Sequence, residues 1–191
     1  MEALKARILA EGQNLGNGIL KVDSILNHQV DPLLMKAMGE EIARLFAGQQ
    51  IDRILTAEVS GIAPAVMAGL VLEVPVVYAR KQKPLTMSGP VYLEVAPSHT
   101  KGGEVLLLVS SEFLHEGENV LVIDDFLASG KTIEKLVRMV NSAEANLVGI
   151  CAVIEKSFEG GRARLGRYGV PIEALAQITE MTEDGRIILA D

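Results

Sequence analysis

The sequence predicts an α/β protein with a central, mostly parallel, twisted sheet flanked by helices. Three observations predict it. Apolar runs at 51–57, 120–123 and 147–154 read as strands, with 120–123 the most clearly buried. Stretches of helical periodicity fall between them, so strand and helix alternate through the middle of the chain, as a parallel sheet with crossover helices requires. The residues suited to chemistry follow these runs directly, and ligands in such sheets bind beyond the carboxyl ends of the strands.

In chain order, residues 1–11 read as a short polar helix, 12–18 as a loop and 19–22 as a short strand. Asp31 is the N-cap and Pro32 the first-turn residue of a helix. Its apolar face runs Leu34, Met38, Ile42, Leu45 and Phe46, and Gly48 ends it. After strand 51–57, residues 58–61 form a turn, 62–70 a short helix with Pro64 near its start, and 74–79 a second strand. The stretch 81–103 is long, polar and rich in Pro, Gly, Ser and Thr; Val91, Leu93 and Val95 alternate within it, and 105–109 is apolar. We read about 81–110 as a flexible loop with a β-hairpin, the kind of segment that closes over a ligand. Past strand 120–123, Ile133, Leu136, Val137 and Val140 share one helical face. Residues 162–168 read as helical, and 172–178 and 186–189 as strands around a hairpin-type turn at Asp184 and Gly185.

The chain, 1–191, reads as a single domain. Its length suffices for one α/β core with a small appendage, and 49% apolar with 23% charged residues excludes a disordered chain. A net charge of -7 without a basic stripe argues against a nucleic-acid partner. No apolar run approaches the length of a membrane span, and the amino-terminal residues lack the apolar region of a secretory signal, so the expected location is cytoplasmic, with no membrane contact. The single cysteine, Cys151, lies inside an apolar run and is expected in the core. His28, His99 and His115 are far apart and form no metal-ligand spacing.

The central feature is VLVIDDFLASGKT, residues 120–132. A buried strand delivers two adjacent carboxylates, Asp124 and Asp125, and a small-residue loop then opens a helix: Ala128, Ser129, Gly130, Lys131 and Thr132. Backbone N–H groups at a helix start favour an anion, and small residues let a phosphate approach them. The Ser129 and Thr132 hydroxyls add donors, and the acids can accept from sugar hydroxyls and support a magnesium ion. A P-loop reading fails, because its pattern requires glycine at 125, where Asp125 stands.

This segment resembles the phosphoribosyl pyrophosphate motif of the type I phosphoribosyltransferases. The resemblance implies that fold, with a small hood formed by about 1–30 and 155–191. It implies that Ala128, Ser129, Gly130, Lys131 and Thr132 bind the 5-phosphate and that Asp124 and Asp125, the catalytic acids, sit under the ribose hydroxyls. The turn at Val59, Ser60 and Gly61 corresponds to the family's pyrophosphate turn; Arg80 and Lys81, with Lys83 and Pro84, resemble a basic segment that reaches pyrophosphate. Magnesium enters with phosphoribosyl pyrophosphate, no protein metal site is expected with certainty, and relatives are commonly homodimers.

Over nearly the whole chain, the resemblance is to the bacterial branch that uses xanthine. LKVDSILNHQVDP (20–32) and IEKSF (154–158) carry it, and they imply Leu20, Asn27 and Lys156 as base contacts. Xanthine presents two carbonyl oxygens, which suits the donors of Lys156 and Asn27. Phe158 is a candidate for stacking on the purine or for the core. Adenine enzymes carry arginine where Ser60 stands, and hypoxanthine-guanine enzymes carry aspartate where Ala128 stands; both departures favour xanthine. With no carboxylate at 128, the enzyme is expected to rely on the acidity of xanthine itself; Glu155 is the first protein residue to consider as proton acceptor should base acidity not govern the rate. The alternatives are a hypoxanthine-guanine or adenine enzyme, or a non-catalytic regulator that senses phosphoribosyl pyrophosphate.

Overall fold

The computed structural model describes residues 1–97 and 104–190, so His99 and the tip of the expected hairpin lie outside the described residues. Helix α1 (Glu2–Glu11) leads into two short paired strands, β1 (Gln13–Asn14) and β2 (Leu20–Lys21), then a π-helical turn at Asp23–Asn27. Helices α2 (Pro32–Leu45) and α3 (Ile62–Leu72) bracket β3 (Arg53–Ala57). Strand β4 (Val76–Ala79) precedes the hairpin of β5 (Val91–Pro97) and β6 (Glu104–Ser110). Strand β7 (Asn119–Leu127), α4 (Lys131–Ser142), β8 (Asn146–Lys156), α5 (Gly161–Leu165), β9 (Ile172–Met181) and β10 (Ile187–Leu189) complete the chain.

Six strands form one sheet in the order β10-β9-β8-β7-β3-β4, parallel throughout except for β9-β10. The chain winds outward from β3 to β4 on one side and from β7 through β9 on the other. Strand order therefore reverses between β3 and β7, and the loops leaving their carboxyl ends part to leave a crevice.

Alternate residues of β7 face two cores. Leu121 and Ile123 pack with Leu4, Ile8, Met38 and Ile42 on one face, and Val120 and Val122 pack with Leu107, Val109, Ile133 and Leu136 on the other. Burial on both faces is why 120–123 shows no polar alternation. Cys151 is fully buried in the first core, as expected, and burial pushes its thiol pKa up. Among the described residues no helix is long and apolar enough to cross a membrane.

The α2 start is as predicted, with the Asp31 carboxylate accepting from the Leu33 and Leu34 N–H groups at 3.0 and 3.2 Å. Elsewhere tertiary contacts move the boundaries. Strands β7, β8 and β9 run past their apolar patterns, because polar residues at their carboxyl ends still find ladder partners: Asp124 pairs with Ala152, and Lys156 with Ile178. The expected strand at 19–22 shrinks to Leu20–Lys21, and the chain instead enters the π turn, where the His28 and Gln29 N–H groups both donate to the Asp23 carbonyl. Buried Ile25 and Leu26 hold that turn in place. The segment 162–168 forms α5 and one 3₁₀ turn.

The terminal segments meet. The Met1 amino group donates to the Leu175 carbonyl, and the Asn14 amide donates to the Thr182 carbonyl at 2.8 Å. Helices α2 and α3 cross at Gly39, where a Cβ would lie 2.5 Å from the Met67 carbonyl carbon. Gly39→Val should force the two helices apart and remove about 3 kcal/mol of stability, the upper range for overpacking. Urea denaturation reads this as a lower midpoint; an unchanged midpoint would show that the crossing yields.

Candidate active site

The crevice between β3 and β7 opens into a cleft of about 550 Å³. Its floor is the carboxyl end of β7. Asp124 is buried, and its Oδ1 accepts from the Asp125 N–H at 3.1 Å; Asp125 Oδ1 accepts from the Phe126 N–H at 2.9 Å. Burial pushes both carboxyls above the usual carboxylate range, and the neighbouring Asp125 charge raises Asp124 further, while Lys81 opposes both shifts.

One wall is the loop that opens α4, Ala128 to Thr132, all five residues of which line the cleft. Gly130 caps the helix at φ +75°, a left-handed conformation that suits glycine. No acceptor among the described residues takes the backbone N–H groups of Ser129, Gly130, Lys131 or Thr132. Unpaired N–H groups at the start of a long helix make an anion site.

The facing wall is the turn after β3. Val59, which is 72% exposed, and Ser60 line the cleft with Glu58 and Lys81. The Glu58–Val59 peptide is cis. The Glu58 carboxylate accepts from the Lys81 N–H at 2.6 Å, tying this turn to the end of β4. Gly61 lies beneath the turn rather than on the wall; a Cβ there would meet Thr56 Oγ1 at 2.4 Å and Asp124 Oδ1 at 3.3 Å. Arg80 also stands off the wall. Its backbone pairs with Leu108 and its guanidinium lies 5.8 Å from the centre of the Tyr78 ring. Lys83 is exposed and does not line the cleft.

The third side joins β8 to the amino-terminal segment, and brings together Leu20, Asn27 and Lys156, which lie far apart in sequence. Lys156 ends β8. Its Nζ donates to the Gly18 carbonyl at 2.6 Å, lies 3.6 Å from the Glu159 carboxylate and sits 5.3 Å from the centre of the Phe126 ring.

Two expectations are corrected. Phe158 is 46% exposed and off the cleft wall, so it is neither a core residue nor placed to stack; Phe126 is the aromatic of the cleft. Glu155 points away from the cleft and is held by the Arg162 guanidinium at 2.6 Å, with 1% of its side chain exposed, so it is no proton acceptor there. Sequence reading also missed Asn17, Gly18 and Glu159, which line the cleft without a motif of their own. The only signal near them was the pair of positive-φ candidates Gly16 and Gly18 flanking Asn17, a turn that could have been read but not placed.

The phosphoribosyl transferase domain profile matches residues 21–171. The chain is 50% identical to the xanthine phosphoribosyltransferase of Leuconostoc mesenteroides, over 99% of this chain and 100% of that protein. It is also 50% identical to the enzyme of that name from Deinococcus deserti, over 99% of this chain and 98% of that one. Among solved structures, adenine phosphoribosyltransferase from Trypanosoma brucei, in complex with AMP, pyrophosphate and ribose-5-phosphate, superposes with a TM-score of 0.77 at 20% identity, covering 95% of this chain and 82% of that one. The adenine enzyme of Thermoanaerobacter pseudethanolicus superposes with a TM-score of 0.74 at 22% identity, covering 91% and 99%. A profile match over most of the chain, full-length kinship and a shared fold lead to one conclusion: the chain belongs to the phosphoribosyl transferase family.

Proposed function

We propose that this chain transfers the 5-phosphoribosyl group of phosphoribosyl pyrophosphate to xanthine, giving xanthosine 5'-phosphate and pyrophosphate. The observation that carries the reading is one cleft that joins an anion-binding helix start to Lys156 and Asn27, in a chain half identical over its length to xanthine phosphoribosyltransferases.

The roles follow from the walls. The free N–H groups of Ser129, Gly130, Lys131 and Thr132 hold the 5-phosphate, with Ala128 leaving room for it. Asp124 and Asp125 accept from the ribose hydroxyls. The turn at Val59, Ser60 and Gly61, with Lys81, receives the pyrophosphate. Arg80 and Lys83 stand outside the cleft and suit a reach toward the site of a neighbouring copy in a homodimer. Leu20 packs on the base, Asn27 and Lys156 donate to its carbonyls, and the two terminal segments form the hood above it. Base N9 forms its bond to the ribosyl carbon as the bond to pyrophosphate breaks. Positioning and electrostatics supply most of the rate.

Asp124 and Asp125, adjacent on the cleft floor, would suit a magnesium ion that arrives with the diphosphate, whose charge it would neutralise when bound. Among the described residues no three His, Cys, Asp or Glu side chains converge to hold a metal by themselves. With Ala128 uncharged and Glu155 turned away, xanthine gives its proton to water and reacts as the anion, which its second carbonyl stabilises. The enzyme belongs to purine salvage in the cytoplasm.

A competition assay tests this. With magnesium, phosphoribosyl pyrophosphate and equal amounts of xanthine, hypoxanthine, guanine and adenine, xanthosine 5'-phosphate should form first. Adenosine 5'-phosphate as the main product would refute the base assignment. Binding of phosphoribosyl pyrophosphate with no nucleotide formed from any base would point instead to a sensing regulator.

A further inference from the structure

The anion-binding loop is supported from behind by α5, a helix that takes no part in the cleft wall. Gly161 packs so closely on the loop that a Cβ there would lie 2.2 Å from the Ala128 carbonyl oxygen and 2.9 Å from the Gly130 nitrogen. One turn on, the Arg164 Nε–H donates to the Ser129 carbonyl at 2.9 Å. Its Nη1 reaches the Glu134 carboxylate on α4 at 3.3 Å, and Glu134 is also paired with Arg167 and, at 3.6 Å, with Arg138. Glu134 has only 7% of its side chain exposed. Burial raises its pKa, but the Arg167, Arg164 and Arg138 charges outweigh that, so it stays ionised and holds the guanidinium in place.

The consequence lies in peptide geometry. The Ser129–Gly130 peptide is trans, so its carbonyl and its N–H point in opposite directions. A carbonyl held outward by Arg164 turns the Gly130 N–H the other way, toward the cleft, where it has no protein acceptor. Without that hold, the Ser129–Gly130 unit can rotate, because Gly130 has no Cβ to restrict it.

We propose that Arg164 is a positioning residue for phosphoribosyl transfer: by fixing the Ser129 carbonyl, it orients the Gly130 N–H to receive the 5-phosphate, with Glu134 as its anchor. Arg164 touches no substrate. The proposal rests on the phosphate-loop reading above.

The test compares the parent chain with Arg164→Ala and Arg164→Lys, in binding and in kinetics. Ribose 5-phosphate carries the 5-phosphate without the diphosphate, so its calorimetric Kd isolates the loop; pyrophosphate serves as the probe of the opposite wall. Arg164→Ala should weaken ribose 5-phosphate binding about tenfold, one lost charge-assisted hydrogen bond, and leave pyrophosphate binding unchanged. KM for phosphoribosyl pyrophosphate should rise by a similar factor while kcat and KM for xanthine stay within twofold. Arg164→Lys keeps a donor for the Ser129 carbonyl and should recover most of the loss. Ribose 5-phosphate binding unchanged in Arg164→Ala overturns the proposal while leaving the phosphate loop assigned. An equal loss for ribose 5-phosphate and pyrophosphate, with a lowered melting temperature, also overturns it, as general loosening. No ribose 5-phosphate binding by the parent chain overturns the loop reading and this proposal together.

Discussion

Gly130→Val should lower kcat/KM for phosphoribosyl pyrophosphate by at least about 100-fold, equivalent to about 2.7 kcal/mol, while the protein stays folded. Gly130 sits at φ +75°, and a Cβ there would lie 3.1 Å from the Gly161 carbonyl oxygen and 3.2 Å from the Gly161 Cα. Both obstacles are backbone, and Gly161 is itself wedged against Ala128, so neither can retreat. A left-handed residue with a Cβ costs about 1–2 kcal/mol, and β-branching adds to it. The least costly relief is for the loop to leave φ > 0, which swings the N–H groups away from the point where they converge. The only core side chain a Cβ at 130 would meet is Leu165, at an ordinary van der Waals distance of 3.4 Å, so the loss should fall mainly on binding. Steady-state kinetics beside a thermal melt separate the two. Unchanged kinetics in a folded variant would remove the phosphate-loop assignment.

Lys156→Ala should reduce kcat/KM for xanthine by about 100- to 1000-fold, the range for a site that loses a hydrogen-bonding group its substrate needs, with KM for phosphoribosyl pyrophosphate within about threefold. The Lys156 side chain is 12% exposed, and its ammonium has donors beyond the one given to the Gly18 carbonyl. Removing it leaves one xanthine carbonyl without its donor, costly once the base is out of water. It also frees Gly18, and this second effect needs its own reading. Hypoxanthine lacks the second carbonyl, so its kcat/KM should fall less than that of xanthine. An equal fall for the two bases would mean that Lys156 serves only to tether the amino-terminal loop, and base reading would pass to Asn27.

The sequence by itself determined the sheet strands that are buried on both faces, the Asp31-Pro32 start of α2, and the small-residue loop that opens α4. Each of these is dictated over a dozen residues or fewer: unbroken apolar runs, a cap and its proline, a glycine at a helix start behind two acids. Tertiary structure alone decided which side chains meet. Phe126, Glu155 and Lys156 belong to strands because the neighbouring strand offers ladder partners past the apolar pattern, and the pleat then sends Lys156 into the cleft and Glu155 to Arg162. The π turn at Asp23–Asn27 has no periodicity to detect and exists because Ile25 and Leu26 find a core there. The support of the loop before α4 by Gly161 and Arg164 crosses more than thirty residues of chain. Local patterns report what a segment must bury and which φ it needs. A carboxylate or guanidinium takes its direction from partners distant in sequence, and only the folded chain brings them within hydrogen-bonding reach.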